Sequence, residues 1–223
     1  MRFLLLALLS LNAGYVDAAG FLALHGLFTT HITGNFVTLG ASLAFGASGV
    51  LAKLLALPLF FAVVSAARIG DRACEKRGWP SLRILFSLQV ALLALGALIA
   101  AKLGPFPDGD SWPALGAGGA LVAAMALQNA AHRTWLTSMP PSTILTGPIT
   151  QMTIDVADLT LGLPPERRAA AKSRAAPIAL AVAAFATGCG AGALGYVTFK
   201  ELCLLAPPAL ALFALCLARP EIA

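Results

Sequence analysis

Three ionisable side chains near the start of the chain have the chemistry to move a proton or an ion. Asp17 lies well inside an apolar stretch, His25 follows eight residues later, and His31 comes just before a Thr-Gly pair. A carboxylate inside a bilayer is costly, which makes it a candidate proton site, cation site or partner of a buried base. Histidine titrates near neutral pH, although an interfacial histidine often only meets water or a carbonyl. Asp17 is therefore the main candidate for ion or proton coupling, with His25 and His31 beside it.

The pattern T-x-x-T-G occurs twice, at residues 30–34 and 143–147. A break at membrane depth leaves backbone groups that only protein or a water-filled cavity can satisfy. Asn35 can cap a short helix beginning near residue 36, and Pro148 suits the first turn of a helix beginning near residue 149. Two helix N-termini facing the interior would attract an anionic or strongly polar solute. We therefore expect the breaks to meet and to contact solute through Thr33, Gly34, Asn35, Thr146 and Gly147, unless both are water-satisfied interfacial turns.

A polar stripe follows the second break. Gln151, Asp155 and Asp158 are spaced i, i+4 and i+7, which places them on one helical face. The stripe either lines a pathway, which we favour for Asp155, or forms the wet face of an interfacial helix, which we favour for Asp158. Arg133, near the end of an apolar segment, is the expected cationic partner, so Asp155 and Arg133 join the coupling candidates. The lengths of segments 36–45 and 149–162 leave open whether they are re-entrant, interfacial or spanning.

The elements that position these residues are apolar helices. Of 223 residues, 59% are hydrophobic and 11% are charged, whereas about a quarter of the residues of a soluble domain are charged. The sequence therefore predicts an all-α integral membrane protein. An N-terminal signal peptide cleaved near Val16-Asp17-Ala18 is the alternative for the first segment. We expect six spans, at residues 3–24, 50–69, 84–101, 114–131, 175–199 and 202–218. The runs 84–101, 114–131 and 175–199 are long enough to cross about 30 Å of hydrocarbon without a charge, whereas 202–218 is slightly short.

The basic residues predict an orientation. With both termini cytoplasmic, twelve Lys and Arg residues fall inside and three fall outside, which satisfies the positive-inside rule. They form no stripe, so we expect no nucleic-acid partner. The four cysteines lack metal-ligand spacing, and we expect neither a metal nor a cofactor. The inside set is Arg2, Arg68, Arg72, Lys76, Arg77, Arg83, Arg133, Arg167, Arg168, Lys172, Arg174 and Arg219, and the outside set is Lys53, Lys102 and Lys200.

The two halves of the chain resemble each other. At a shift of 113 residues the two T-x-x-T-G motifs coincide, and a four-residue gap aligns Asn12-Ala13 with Asn129-Ala130. We expect one transmembrane domain over residues 1–223, with repeat 1 at about 1–103 and repeat 2 at about 114–219, and Asn12 and Asn129 as further solute contacts. Three crossings per half would invert the second repeat; chance similarity between low-complexity halves is the alternative.

Two further motifs each have a structural as well as a functional interpretation. Gly188 and Gly192 form G-x-x-x-G, which favours close helix packing within one chain, or a homodimer interface. The segment Gly46–Gly49 matches the G-x-S-G of intramembrane serine proteases, but no histidine follows His132 and no base is positioned to activate Ser48. We therefore expect no enzyme activity.

The order of motifs is similar to that of a known family. N-A-G-Y-V-D-A at residues 12–18, H-I-T-G-N at 31–35, Q-N-A at 128–130 and L-T-G at 145–147 resemble the YoaK-like family of bacterial transmembrane proteins of unknown function. The resemblance implies a bacterial inner-membrane protein of the same fold and brings no established binding residues. Our leading hypothesis is a transporter or exchanger of a small polar or anionic solute. The alternatives are a solute channel, a non-transporting scaffold or a lipid-modifying enzyme.

Overall fold

The computed structural model describes residues 1–162 and 164–218, and all regular structure in these ranges is helical. Five segments are long and apolar enough to cross a membrane: α1, α3, α4, α5 and the continuous helical stretch Pro165–Leu217. The protein is therefore a helical membrane protein, as its composition predicts. Arg219 lies outside the described residues. The helices are α1 (Arg2–Ala23), α2 (Gly34–Phe45), α3 (Val50–Arg77), α4 (Ser81–Leu103), α5 (Trp112–Thr134), α6 (Thr146–Leu161), α7 (Pro165–Phe199) and α8 (Ala206–Leu217), with a 3-10 turn, Lys200–Leu205, between the last two.

Several helices extend beyond the predicted spans. α3 continues to Arg77, and α7 begins ten residues before the predicted start at residue 175. Both extensions are rich in Lys, Arg, Glu and Ala, which are good helix formers. The apolar runs therefore identified the spans but not the ends of the helices.

The chain reverses direction at Lys200. This residue has φ 52° and ψ −137° and ends α7. α7 runs parallel to α1, since Gly188 packs on Leu11 and Gly192 packs on Tyr15. α8 runs antiparallel to α1, because the Tyr15 hydroxyl donates to the Cys203 carbonyl at 3.0 Å and Leu5 shares a core cluster with Ala218. The long C-terminal stretch thus folds into two antiparallel helices.

Residues 24–45 form a hairpin that folds back along α1, which we call the first hairpin. The chain turns at His25 and Gly26, both with positive φ. The chain then runs back along α1 as far as Asp17, whose carboxylate accepts from the Thr30 N–H. Asp17 lies six residues, or about 9 Å, before the end of α1. α2 then brings the chain back to the end of the bundle at which α1 ends. There Gly49, after the hairpin, lies beside His25, at its start.

Residues 135–161 form the second hairpin, which folds back along α5. The N–H groups of Trp135 and Leu136 both donate to the Ala131 carbonyl and turn the chain. Residues 142 and 143 then lie beside α5, and α6 leads to α7. Because α5 runs antiparallel to α1, the two hairpins enter the bundle from opposite ends.

The helix packing repeats when the two halves are exchanged. When α1 to α4 are matched in order with α5 to α8, three contacts between helices each have a counterpart. The α1–α7 contact corresponds to α5–α3, the α8–α1 contact to α4–α5, and the α2–α3 contact to α6–α7. The ends of α3 and α5 and the start of α1 share one end of the bundle. We call it the basic end because it carries Arg2, Arg68, Arg72 and Arg133.

The G-x-x-x-G motif is used inside the chain. A Cβ added to Gly188 would collide with the Leu11 carbonyl, and one added to Gly192 would lie 2.6 Å from the Tyr15 carbonyl oxygen. Gly14 faces the same crossing from α1 and meets the Phe185 carbonyl. Since α1 already covers these glycines, they are not available as a homodimer interface.

Candidate functional site

Asp17 organises the first hairpin. Its Oδ1 accepts hydrogen bonds from the backbone N–H groups of Thr29 (2.9 Å) and Thr30 (2.8 Å) and from the Thr29 hydroxyl (3.3 Å). Its Oδ2 lies 2.8 Å from His31 Nδ1. The residue is 4% exposed. The carboxylate thus gives the backbone of a buried break the acceptors that lipid cannot provide.

His31 connects Asp17 to a cavity of about 430 Å³ between the first hairpin, α1 and α7. One ring nitrogen meets Asp17, and the ring stands edge-on to Phe185 with the centroids 5.5 Å apart. The His31 side chain is 37% exposed, whereas that of Asp17 is 5% exposed. The imidazole of His31 therefore lies between the Asp17 carboxylate and the cavity. The polar lining consists of Asp17, His31 and Cys189, and Phe21, Phe28 and Phe185 contribute aromatic walls.

Asn35 has a different role from the expected helix cap. It lies inside α2, which begins at Gly34 and has no side-chain cap. Its Oδ1 accepts from the Phe28 N–H and its Nδ2 donates to the Phe28 carbonyl, both at 2.8 Å. A cap would satisfy the N–H groups of α2, whereas these bonds join the two arms of the hairpin. Asn35 is thus a positioning residue for the break.

The second break is held by uncharged polar side chains. Gln128 Nε2 donates to the Ser142 hydroxyl (2.8 Å) and to the Leu9 carbonyl (3.0 Å). The Thr143 hydroxyl donates to Asn129 Oδ1 at 2.6 Å, and Ser142 also contacts His132 Nε2 at 2.8 Å. Of these residues only Asn129 was a sequence candidate. A glutamine inside an apolar run, such as Gln128, was the available signal for the others.

Both breaks reach the same face of α1. The Thr30 hydroxyl donates to the Ala13 carbonyl at 3.4 Å, and Leu145 packs on Leu6. These α1 positions are seven residues apart, which is about 10 Å along the helix. Ser10 lies between them on that face, and its buried hydroxyl has no hydrogen-bond partner in residues 1–162 and 164–218.

The shared site expected at the two breaks is not formed. Thr33, Thr146 and Gly147 are exposed on the outside of the bundle, and Gly147 has open space where a Cβ would stand, while Gly34 faces Phe28. The cavities beside the two breaks have no lining residue in common. The side chains that precede each T-x-x-T-G glycine therefore turn outward while the backbone of the break is held by α1 or α5.

The aligned pair Asn12 and Asn129 is also not equivalent in space. Asn12 is buried, and both polar atoms of its amide are without a partner in the described part of the chain. Asn129 Oδ1 accepts from the Thr143 hydroxyl and Asp17 Oδ1 accepts from the Thr30 N–H, so each contacts the first threonine of a motif. Asp17 is therefore closer in role to Asn129 than Asn12 is, at a shift of 112 residues, one fewer than the 113 that aligns the two motifs.

Two other candidates, His25 and Asp155, have partners that the sequence did not indicate. His25 lies beyond the end of α1, where its Nε2 contacts the Phe106 carbonyl at 2.7 Å instead of Asp17. Asp155 pairs with Arg174, at 2.8 and 3.1 Å, and with Gln151 at 3.0 Å. Arg133 is thus not the base that meets Asp155. The helical extension at the start of α7 brings Arg174 to α6.

Lys53 has a structural role that the sequence did not indicate. It is 3% exposed, and its ammonium donates to the His25 carbonyl (2.7 Å), the Ser42 hydroxyl (2.9 Å) and the Ser48 carbonyl (3.2 Å). It thereby ties the entrance of the first hairpin to its exit. A lysine at the edge of an apolar run predicts snorkelling, whereas here the side chain turns into the protein.

These features define a polytopic helical membrane protein with two oppositely directed hairpins. The chain belongs to the family described as protein of unknown function (DUF1275), whose model matches residues 5–217. It is 44% identical over 80 residues to the UPF0700 transmembrane protein YoaK of Bacillus subtilis (strain 168), a match that covers 34% of this chain and 35% of that protein. The resemblance to the YoaK-like family is thus confirmed. No solved structure matches the chain.

Proposed function

We propose that the protein is a transporter or exchanger of a small polar or anionic solute, built as a 3+3 inverted repeat with six crossings. Two observations on the helices support this plan: the packing pattern repeats when the halves are exchanged, and the reversal at Lys200 divides the C-terminal stretch into two antiparallel helices. An odd number of crossings per repeat gives opposite orientations, a common plan of secondary transporters. The positive-inside rule then assigns the basic end and both termini to the cytoplasm, and the family resemblance suggests the bacterial inner membrane.

The observation that carries the functional proposal is the Asp17–His31 pair on the wall of the 430 Å³ cavity. The carboxylate that a proton would neutralise is also the acceptor that holds Thr29 and Thr30. A neutral carboxyl accepts hydrogen bonds more weakly than a carboxylate, so protonation loosens the first hairpin. Proton uptake in the cavity would thereby be coupled to movement of the break.

Transport in this scheme requires the hairpins to move along α1. Ser10 lies between the two breaks with a buried, unpartnered hydroxyl, and it becomes accessible from one end when the first hairpin loosens and from the other when the second does. The solute contacts would then be Ser10, His31 and the backbone of the breaks. The imidazole of His31 on the cavity wall can hydrogen-bond to an anion or a strongly polar solute.

A catalytic role receives no support from the serine of the G-x-S-G segment. The Ser48 hydroxyl donates directly to Asp108 and accepts from the Gly109 N–H at 2.6 Å. The nearby His25 is directed to the Phe106 carbonyl. Because no base lies between Ser48 and the carboxylate, the hydroxyl is held as a loop contact, and we propose a transport protein and not an enzyme.

Proton flux in proteoliposomes tests the proposal. Vesicles containing a pH-sensitive dye would receive an outward gradient of chloride, phosphate or succinate, one at a time. We expect at least one gradient to drive proton movement, Asp17→Asn and His31→Gln to abolish it, and Asp158→Asn, a carboxylate outside the cavity, to leave it intact. Unchanged flux in Asp17→Asn would refute the site. Flux that does not saturate and shows no counter-flow would favour a channel, and no flux with any anion would favour a scaffold.

A further inference from the structure

A lateral groove of about 340 Å³ lies at the basic end between α3, α5 and the second break. We call it the α3–α5 groove. Its apolar part is formed by Phe60, Val64 and Ile144. Its mouth carries Arg68, Arg133 and Trp135. The groove thus has a cationic end and an apolar end, arranged along the helices.

The two guanidinium groups differ in how far they are neutralised. Arg68 pairs with the buried carboxylate of Asp71, which removes part of its charge. The described ranges, 1–162 and 164–218, place no carboxylate within ion-pairing distance of Arg133. Arg133 is exposed and therefore presents a full positive charge at the mouth. The cavity at the opposite hairpin has Asp17 and His31 in its lining and no arginine.

We propose that the α3–α5 groove binds one anionic phospholipid of the bilayer, with its phosphate on Arg133 and Arg68 and an acyl chain along Phe60 and Val64. Arginine binds phosphate through two parallel N–H groups, and basic pockets between transmembrane helices select anionic head groups. Trp135 directly follows the end of α5, and aromatic side chains at the ends of membrane spans favour the head-group region. Nothing in the proposed transport cycle requires this lipid.

The length of the groove indicates a lipid and not a free anion. Arg68 and Phe60 are eight residues apart on α3, which is about 12 Å along the helix. A phosphate ion at the mouth would leave the apolar wall of Phe60, Val64 and Ile144 uncovered. A lipid whose phosphate lies at Arg133 extends its first chain carbons over that same distance.

Thermal unfolding of the full chain in mixed micelles tests the site. Increasing amounts of dioleoyl phosphatidylglycerol, or of zwitterionic dioleoyl phosphatidylcholine, would be added, and apparent lipid affinity taken from the rise in Tm. We expect phosphatidylglycerol alone to raise Tm. Arg133→Gln should weaken its apparent affinity about tenfold, as expected for a lost charge-assisted contact, and Arg68→Gln should weaken it less because Asp71 already offsets that charge.

Arg72→Gln is the matched control, since Arg72 is an exposed arginine on the same helix outside the groove. It should leave the phosphatidylglycerol effect unchanged, and Phe60→Ser should weaken it while leaving Arg133 in place. Equal losses in Arg72→Gln and Arg133→Gln would show a diffuse charge effect and overturn the proposal. Inorganic phosphate raising Tm as well as the lipid does would also overturn it, as would an Arg133→Gln protein with wild-type lipid affinity.

Discussion

Replacing Asp17 separates its role in holding the break from its role as a charge. In Asp17→Ala, three donors lose their acceptor: the N–H groups of Thr29 and Thr30 and the Thr29 hydroxyl. Thr29 and Thr30 are 0% and 1% exposed, so water does not replace the carboxylate. Each orphaned buried donor costs about 1–3 kcal/mol. Allowing the hydroxyl to find another acceptor, the two backbone N–H groups remain, and we expect Asp17→Ala to lower the free energy of unfolding by about 2–6 kcal/mol.

Asp17→Asn should cost much less. The amide oxygen still accepts from the two backbone N–H groups, and the amide nitrogen can donate to His31 if its Nδ1 is unprotonated. The remaining loss comes from exchanging a charged acceptor for a neutral one, which is about 1 kcal/mol over these bonds. The ratio between the two substitutions, and not the absolute values, tests the hydrogen-bond assignment.

Denaturant unfolding in mixed micelles and hydrogen exchange at the Thr29 and Thr30 amides measure these effects. Exchange should accelerate strongly in Asp17→Ala and slightly in Asp17→Asn. Asn12→Leu is the control, because Asn12 is equally buried on α1 but its amide has no partner in the described residues, so its removal should be neutral or stabilising. An Asp17→Ala protein within 0.5 kcal/mol of wild type, with unchanged exchange, would refute the reasoning; that threshold is about the spread of surface substitutions.

Three further outcomes follow from the contacts. Gly188→Val should destabilise by about 3 kcal/mol, the upper range for overpacking, because the new carbons meet the α1 backbone, whereas Gly190→Val, which faces open space, should be silent in the same unfolding assay. Lys53→Met should cost about 2 kcal/mol by leaving a hydroxyl and two carbonyls without their charged donor, and limited proteolysis should then cut within residues 24–49. The Ser48 hydroxyl, and next the Asp110 N–H, lower the pKa of Asp108 below its usual 3.8. The stabilisation this gives is therefore complete above about pH 4–5 and is lost as pH falls through the folded pKa. The Tm measured from about pH 6 to pH 3 should fall accordingly, and the fall should be smaller in Ser48→Ala.

The fold could be predicted from the sequence to the level of the spans. Apolar length located α1, α3, α4 and α5, because crossing hydrocarbon imposes a minimum run that few other structures need. The hairpins were foreseen as breaks at T-x-x-T-G, but not that their backbone would fold back along α1 and α5. That arrangement depends on contacts across the turn between a break and the helix before it, such as the Thr30 N–H to the Asp17 carboxylate and the Thr143 hydroxyl to Asn129. No local pattern contains such a contact.

The site was predictable where burial itself was the signal. Asp17 was identified because a carboxylate in an apolar run demands a partner. Its partner was harder to assign, since helical periodicity places His25 on the side of Asp17 only if α1 continues, and α1 ends at Ala23. The fold-back of the chain brings His31 there instead. Arg174 was missed for the related reason that α7 begins before its apolar run.

The two halves hold equivalent breaks with different chemistry, and this difference has a functional consequence. Asp17 holds Thr30 with a carboxylate hydrogen-bonded to an imidazole, whereas Asn129 holds Thr143 with an amide that does not titrate. If the halves are inverted repeats, a proton that binds the carboxylate of the first hairpin has no counterpart at Asn129, and the titratable side chain that contacts the second break is His132, at Ser142. Asn129→Asp should therefore place a second carboxylate that can bind a proton at the second break, near the basic end. We expect proton flux through the wild-type protein to depend on the pH on one side of the membrane, and flux through Asn129→Asp to depend on the pH on both sides.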